Sequence, residues 1–140
     1  MDPQALVREF HRMFNGELPE VPTLRTPEVR ALLLRLIEEE AGELAEALER
    51  ADMIGVADAL GDLVYVTYGA AVAFGLDLAP VLAEIHRSNL TKRGGPRRAD
   101  GKILKGPQFR PPDIAAVLRH QMDARQRGGR PDAGTDPVSG

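Results

Sequence analysis

Two acidic motifs in this 140-residue chain have the residue types and spacing to hold a divalent cation. The first is Glu39-Glu40-Ala41-Gly42-Glu43 and the second is Asp58-Ala59-Leu60-Gly61-Asp62. Both lie inside apolar helical patterns. Burying an unpaired carboxylate costs several kcal/mol, so such groups are paired, neutralised or bound to a metal. No run of Lys or Arg accompanies either motif. A cation site is therefore the expectation, and it implies chemistry on a phosphorylated ligand.

A helical wheel separates the acids of the first motif. At 100° per residue from Leu33, the residues Leu36, Ile37, Ala41, Leu44, Ala47 and Leu48 fall on one arc of roughly 140°. Glu40 falls inside that arc, Glu43 at its edge and Glu39 just beyond Glu43. Glu38, Glu46 and Glu49 point away and read as a solvated charged face, a reading that fits Glu40 poorly.

The second motif sits in a segment from about Asp52 to Phe74 that is apolar nearly all round, the pattern of a buried helix. Its unbroken apolar stretch is expected to be too polar and too short to span a bilayer. Asp58 and Asp62 are its interior charges, four residues apart and so on one stripe. Gly55, Gly69 and Ala73 flank that stripe and suggest room beside the carboxylates. The alternative is a pair of aspartates held by Arg30 or Arg35 from the neighbouring helix.

Punctuation places the elements that must position these groups. A first helix is expected over Pro3 to Phe14, with Phe10 and Phe14 stacked at i, i+4 and Asn15-Gly16 ending it. Pro19 and Pro22 make an extended linker. Thr26 caps a second helix to about Arg50, with Pro27 at its first position. The third spans Ile54 to Phe74 and stops at Gly75. Asp77 caps a fourth, which ends near Asn89. Asp100-Gly101 signals a tight turn in a small hairpin between Arg98 and Lys105. Asp113 caps a last helix to about Gln126. Residues 1–126 read as one domain, and the Gly/Pro-rich residues 127–140 as a disordered tail.

Several classes of function fall away. The chain has no cysteine, which removes disulfides and Cys-based zinc sites. His11, His86 and His120 lack metal-ligand spacing. No nucleophilic Ser or Cys constellation, phosphate-binding glycine loop or signal peptide stands out. The expected location is cytoplasmic. The net charge of −3 is unevenly spread. Glu28 to Asp62 carries ten acids and three bases, a net of −7, whereas Arg87 to Arg110 carries eight bases and one acid, a net of +7. An acidic pocket for cations and a basic segment for phosphates make complementary halves of a nucleotide site. The basic segment has one aromatic, Phe109, so nucleic-acid binding is not expected.

These residues carry a family resemblance over roughly Thr26 to Pro112. Glu39-Glu40-Ala41-Gly42-Glu43 resembles the EExxE signature of the MazG-like, all-α nucleoside triphosphate pyrophosphohydrolases, relatives of dimeric dUTPases. The stretch from Asp58 through Asp62 and Tyr65 to Gly69 is similar to the helix that bears the second acidic motif, usually ExxD. His86 to Lys92, then Asp100-Gly101-Lys102 and Lys105, resemble the C-terminal part of small bacterial members. One departure stands out: the ExxD glutamate falls at Ala59, and Asp58 is the neighbouring acid.

The resemblance implies an all-α, four-helix-bundle-type fold with an extra C-terminal helix and a basic loop or hairpin. It implies hydrolysis of a nucleoside triphosphate, dUTP-like or a non-canonical dNTP, to the monophosphate and pyrophosphate. Mg2+ is the expected cofactor, with Mn2+ able to substitute. Glu40, Glu43 and Asp62 are then direct ligands, Asp58 a fourth, and Glu39 serves a second metal or the attacking water, with Glu39 and Glu40 catalytic. Tyr65, Asn89, Lys92, Lys102 and Lys105 are the expected substrate-binding residues, the lysines from the same chain or a partner subunit. A homodimer or larger assembly is expected, because one small chain cannot easily cover an all-apolar helix. Two other readings stay open: a phosphoribosyl-ATP pyrophosphohydrolase, and a non-catalytic helical dimerisation module.

Overall fold

A computed structural model describes residues 1–128. Among them are five helices and no strand: α1 (Pro3–Asn15), α2 (Pro27–Glu49), α3 (Met53–Ala73), α4 (Leu78–Leu90) and α5 (Ile114–Gly128). The chain is all-α, as its sequence implies. Each helix begins at a side-chain cap that satisfies one of its free amides. Thr26 Oγ1 accepts from Val29 N at 3.4 Å, Asp77 Oδ1 from Ala79 N at 3.1 Å, and Asp113 Oδ1 from Ala116 N at 2.9 Å. Asp2 and Asp52 play the same part for α1 and α3. Arg127 and Gly128 belong to α5, two residues past the expected end of the domain. The rest of the expected tail, 129–140, lies outside the described residues.

The packing has two parts. α2 and α1 pack on α3, and α4 packs on α5. The buried core is small: Val7 of α1, Leu33 and Ala47 of α2, and Ala59, Ala71, Val72 and Ala73 of α3. Alanines let the helix axes approach closely. The linker before α2 straps across the end of α3. Thr23 N donates to Phe74 O at 2.8 Å, and Arg25 Nη1 to Ala73 O at 2.8 Å. Gly75 has φ +69°, and a Cβ there would lie 2.2 Å from Val21 O. Two glutamines fix the turn that follows. Gln4 of α1 bonds Leu76 O and Leu78 N, and Gln121 of α5 bonds both backbone groups of Asp77.

Three expectations about α3 need correction. Among the described residues it is not covered on every side, because only α1 and α2 pack on it extensively. Met53, Ile54, Leu60 and Val64 are exposed, Ile54 at 84 %. Next, α3 is long and apolar enough to cross a membrane by length and composition alone. Asp58 and Asp62 would then need partners in hydrocarbon. Lastly, Gly55 does not open a space: a Cβ there would meet Asp52 Oδ2 at 2.7 Å and Ala47 Cβ at 3.1 Å.

The expected hairpin exists in reduced form, as a single antiparallel bridge between Arg97 and Ile103. Arg98 N donates to Lys102 O at 2.8 Å across the turn, and Gly101, with φ +91°, closes it. Gly95 and Gly106 form its base, where a Cβ on Gly95 would lie 2.1 Å from Leu104 O. Residues 107–112 are pinned to α4. Ser88 Oγ donates to Arg110 O at 2.8 Å, and Arg110 N to Thr91 Oγ1 at 2.8 Å. Glu84 accepts from Arg87 and from Asp113 N at 2.8 Å, which holds its carboxyl at about 2, mainly through Arg87.

Candidate metal centre

Glu40, Glu43 and Asp62 come together between α2 and α3. Each offers a carboxylate oxygen, and the three oxygens lie within 4.8 Å of one another. Glu40 and Glu43 share a stripe of α2 at i, i+3, and the pairing of α2 with α3 brings Asp62 to it. Glu40 is half-buried, and its Oε2 is fully buried without a hydrogen-bond partner. Its carboxyl is pushed up from its ordinary value, first by burial and then by the charges of Glu43 and Asp62. Such a group, among like charges and with an orphaned oxygen, suits a cation. The donors are all hard oxygens, which fits Mg2+ or Mn2+.

Asp58 and Glu39 are not among these three; both are exposed, as are Glu43 and Asp62, and the charge of Glu39 also raises the Glu40 carboxyl. Neither Arg30 nor Arg35 forms an ion pair with Asp58 or Asp62 among the described residues. Arg30 instead donates to Arg25 O at 2.9 Å. Ala59, at the position of the missing ExxD glutamate, is 3 % exposed.

The cluster opens onto a cavity of about 650 Å3 between α1, α2 and α3. Glu40 and Asp62 lie in its wall, with Leu32, Leu33, Leu36, Val66 and Ala73 as apolar lining. Tyr65 lines it too, its ring edge-on to Phe10 at 5.9 Å. Polar groups that the sequence reading missed complete the wall: His11 and Asn15 of α1 and Arg25 of the linker. The spacing of His11 and Asn15 was a usable signal, since i, i+4 puts both on one stripe, where they bond each other at 3.0 Å. Burial pushes the His11 imidazole down from its ordinary value. Gly69 makes its position possible, because a Cβ there would lie 2.9 Å from His11 Nε2.

The expected phosphate-binding residues are elsewhere. Asn89, Lys92, Lys102 and Lys105 do not line this cavity. Lys105 Nζ sits over the Phe109 ring, 4.8 Å from its centroid. At the end of α4, Arg87, Arg93 and Arg110 line a separate cavity of about 640 Å3. Among the described residues, these two cavities therefore keep the acidic and basic halves apart.

Two comparisons with known proteins give matches. Residues 76 long in alignment are 42 % identical to the uncharacterized protein L479 of Acanthamoeba polyphaga mimivirus. The match covers 51 % of this chain and 30 % of the viral protein, so the chain spans under a third of that relative's length. The phosphoribosyl-ATP pyrophosphohydrolase profile matches residues 7–89, from α1 through α4 and across both acidic motifs. The chain belongs to the phosphoribosyl-ATP pyrophosphohydrolase family, within the MazG-like all-α pyrophosphohydrolase superfamily.

Proposed function

We propose that this protein hydrolyses a nucleoside triphosphate, of the dUTP-like or non-canonical dNTP kind, to the monophosphate and pyrophosphate. The observation that carries this reading is the orphaned Glu40 oxygen in a carboxylate cluster that opens onto an apolar cavity of nucleotide size. Glu40, Glu43 and Asp62 would hold Mg2+. The ion supplies charge neutralisation at the phosphates and acidifies water. Glu39, exposed beside the cluster, orients the attacking water and takes its proton. Asp58 supports the cluster through water. The α–β phosphoanhydride bond breaks, and pyrophosphate leaves with the bonding electrons. Tyr65 and the apolar lining hold the nucleoside and keep bulk water out.

Asn89, Lys92, Lys102 and Lys105 fit this scheme as phosphate contacts brought by a second copy of the chain. Exposed Leu60 and Val64 of α3 and Leu82 and Ile85 of α4 give such a copy apolar surface to cover. The family match favours a second reading, phosphoribosyl-ATP as substrate. Pyrophosphate release from a panel of dNTPs, NTPs and phosphoribosyl-ATP tests both. Release from dNTPs but not from phosphoribosyl-ATP supports the first, the reverse pattern supports the second, and no release from any leaves the dimerisation module.

A further inference from the structure

We infer that His11, held by Asn15, selects the base of the substrate by donating its Nε2–H to a carbonyl oxygen, so that uracil is accepted over cytosine. This rests on the triphosphate reading above and names the base that it leaves open. Asp62, Tyr65, Val66, Gly69 and Ala73 share one stripe of α3 and line the same cavity. Gly69 lies seven residues past Asp62, about 10 Å along the helix at about 1.5 Å per residue. That is the reach from the α-phosphate of a nucleotide to the far edge of its base. With the phosphates at the carboxylate cluster, the base edge arrives where the His11 ring packs over Gly69. The ring is neutral at neutral pH, because burial pushes the imidazole below its ordinary value of 6.5. Asn15 Nδ2 donates to His11 Nδ1 at 3.0 Å, which leaves the ring proton on Nε2. Among the described residues Nε2 has no hydrogen-bond partner, and it is not sealed from the cavity as Glu40 Oε2 is. It is a donor with a fixed tautomer and an open side. Arg25, whose Nη1 donates to Ala73 O at 2.8 Å, adds further donors at the end of the same stripe. The substituent on C4 of a pyrimidine points directly away from the sugar, so it is the base atom that meets this wall. It is an oxygen acceptor in uracil and an amino donor in cytosine. An amino group set against Nε2–H leaves two donors facing each other, each without its hydrogen bond. Glu17, which also lines the cavity, could accept from an amino group, but it is exposed and water competes for it.

Steady-state kinetics of the full-length protein with Mg2+ and either dUTP or dCTP test this, with Mn2+ affinity measured beside them. Wild type should prefer dUTP by about tenfold or more in kcat/KM, since cytosine leaves two opposed donors unpaired. His11→Leu fills the same space without a donor. It should bring the preference within about threefold, mainly by raising KM for dUTP, while Mn2+ affinity is kept. His11→Gln restores a donor and should keep part of the preference. Asn15 is a positioning residue, and Asn15→Leu should give a preference between those of wild type and His11→Leu, because it frees the tautomer. A preference that His11→Leu leaves intact would overturn the inference. So would a wild type that prefers dCTP, turns both over equally or hydrolyses purine nucleotides alone. Pyrophosphate release from no nucleoside triphosphate at all would overturn the triphosphate reading and the inference with it, an outcome distinct from turnover without base preference.

Discussion

Glu40 sets function against stability within one side chain. Its carboxyl is pushed up by burial and by Glu43 and Asp62. A carboxyl raised in the fold binds its proton more tightly there than in the unfolded chain. Stability of the metal-free protein should therefore fall as pH rises from the ordinary value of 4.5 through the raised one, and return on acidification. Glu40→Gln should raise the melting temperature of the metal-free protein at neutral pH. Mg2+ should stabilise the wild type and not the variant; a Mg2+-induced shift of equal size in both, read by calorimetry, would remove Glu40 from the metal site. The half-buried position of Glu40 was legible, because the helical period alone puts it on the apolar arc. The role of α1 was not. Phe10 and Phe14 read as a stacked pair, while the sequence could not say which helix would face His11 and Asn15. Gly69 read as spare room, but its missing side chain is taken up by the His11 ring. Gly69→Ala should displace that ring and raise KM severalfold with little change in metal affinity, as steady-state kinetics beside Mn2+ titration would show.

At the scale of elements, the caps and stops marked the helices well. Thr26, Asp77 and Asp113 cap as their residue types dictate, and Gly75 ends α3 because its positive φ and the nearby Val21 carbonyl exclude a side chain. The clasp between α4 and α5 was not legible, since Glu84, Arg87 and the Asp113 amide meet only once residues 107–112 fold back. Glu84 has a carboxyl lowered to about 2 from 4.5, so the clasp contributes fully above the upper value. That contribution is lost as pH falls through the lower one. Protection of the α5 amides, taken as exchange relative to the intrinsic rate at each pH, should fall between pH 4.5 and 2, and Glu84→Gln should bring the lower protection to neutral pH. Protection in α5 that is indifferent to both changes would mean that other contacts hold the helix.

Over the whole molecule, the exposed apolar length of α3 is the feature a single chain leaves unresolved. Its sequence shows that the helix wants cover on all sides, but a pattern of apolar residues does not say whether the cover comes from the same chain. Here α1 and α2 provide only part of it. A second copy would cover the rest and could carry the basic segment to the acidic cavity. Sedimentation at micromolar concentration should show a dimer or larger species. Leu60→Asp or Val64→Asp should shift it toward monomer, and a monomeric wild type would contradict the assembly. The triple change Lys92→Ala, Lys102→Ala, Lys105→Ala should cut kcat/KM by about a hundredfold through lost charge neutralisation. Mixing that variant with a Glu40→Gln variant should restore part of the activity if the lysines act across subunits, whereas no restoration would place them on their own chain's site.

The most direct measurement is pyrophosphate release from the best nucleotide of the panel by wild type, Glu40→Gln and Glu46→Gln, with Mg2+ and with chelator. Metal-dependent turnover should be lost by about a hundredfold or more in Glu40→Gln and kept in Glu46→Gln, whose side chain is exposed on α2. Full turnover by Glu40→Gln, or turnover in chelator equal to that in Mg2+, would contradict a catalytic metal at this cluster.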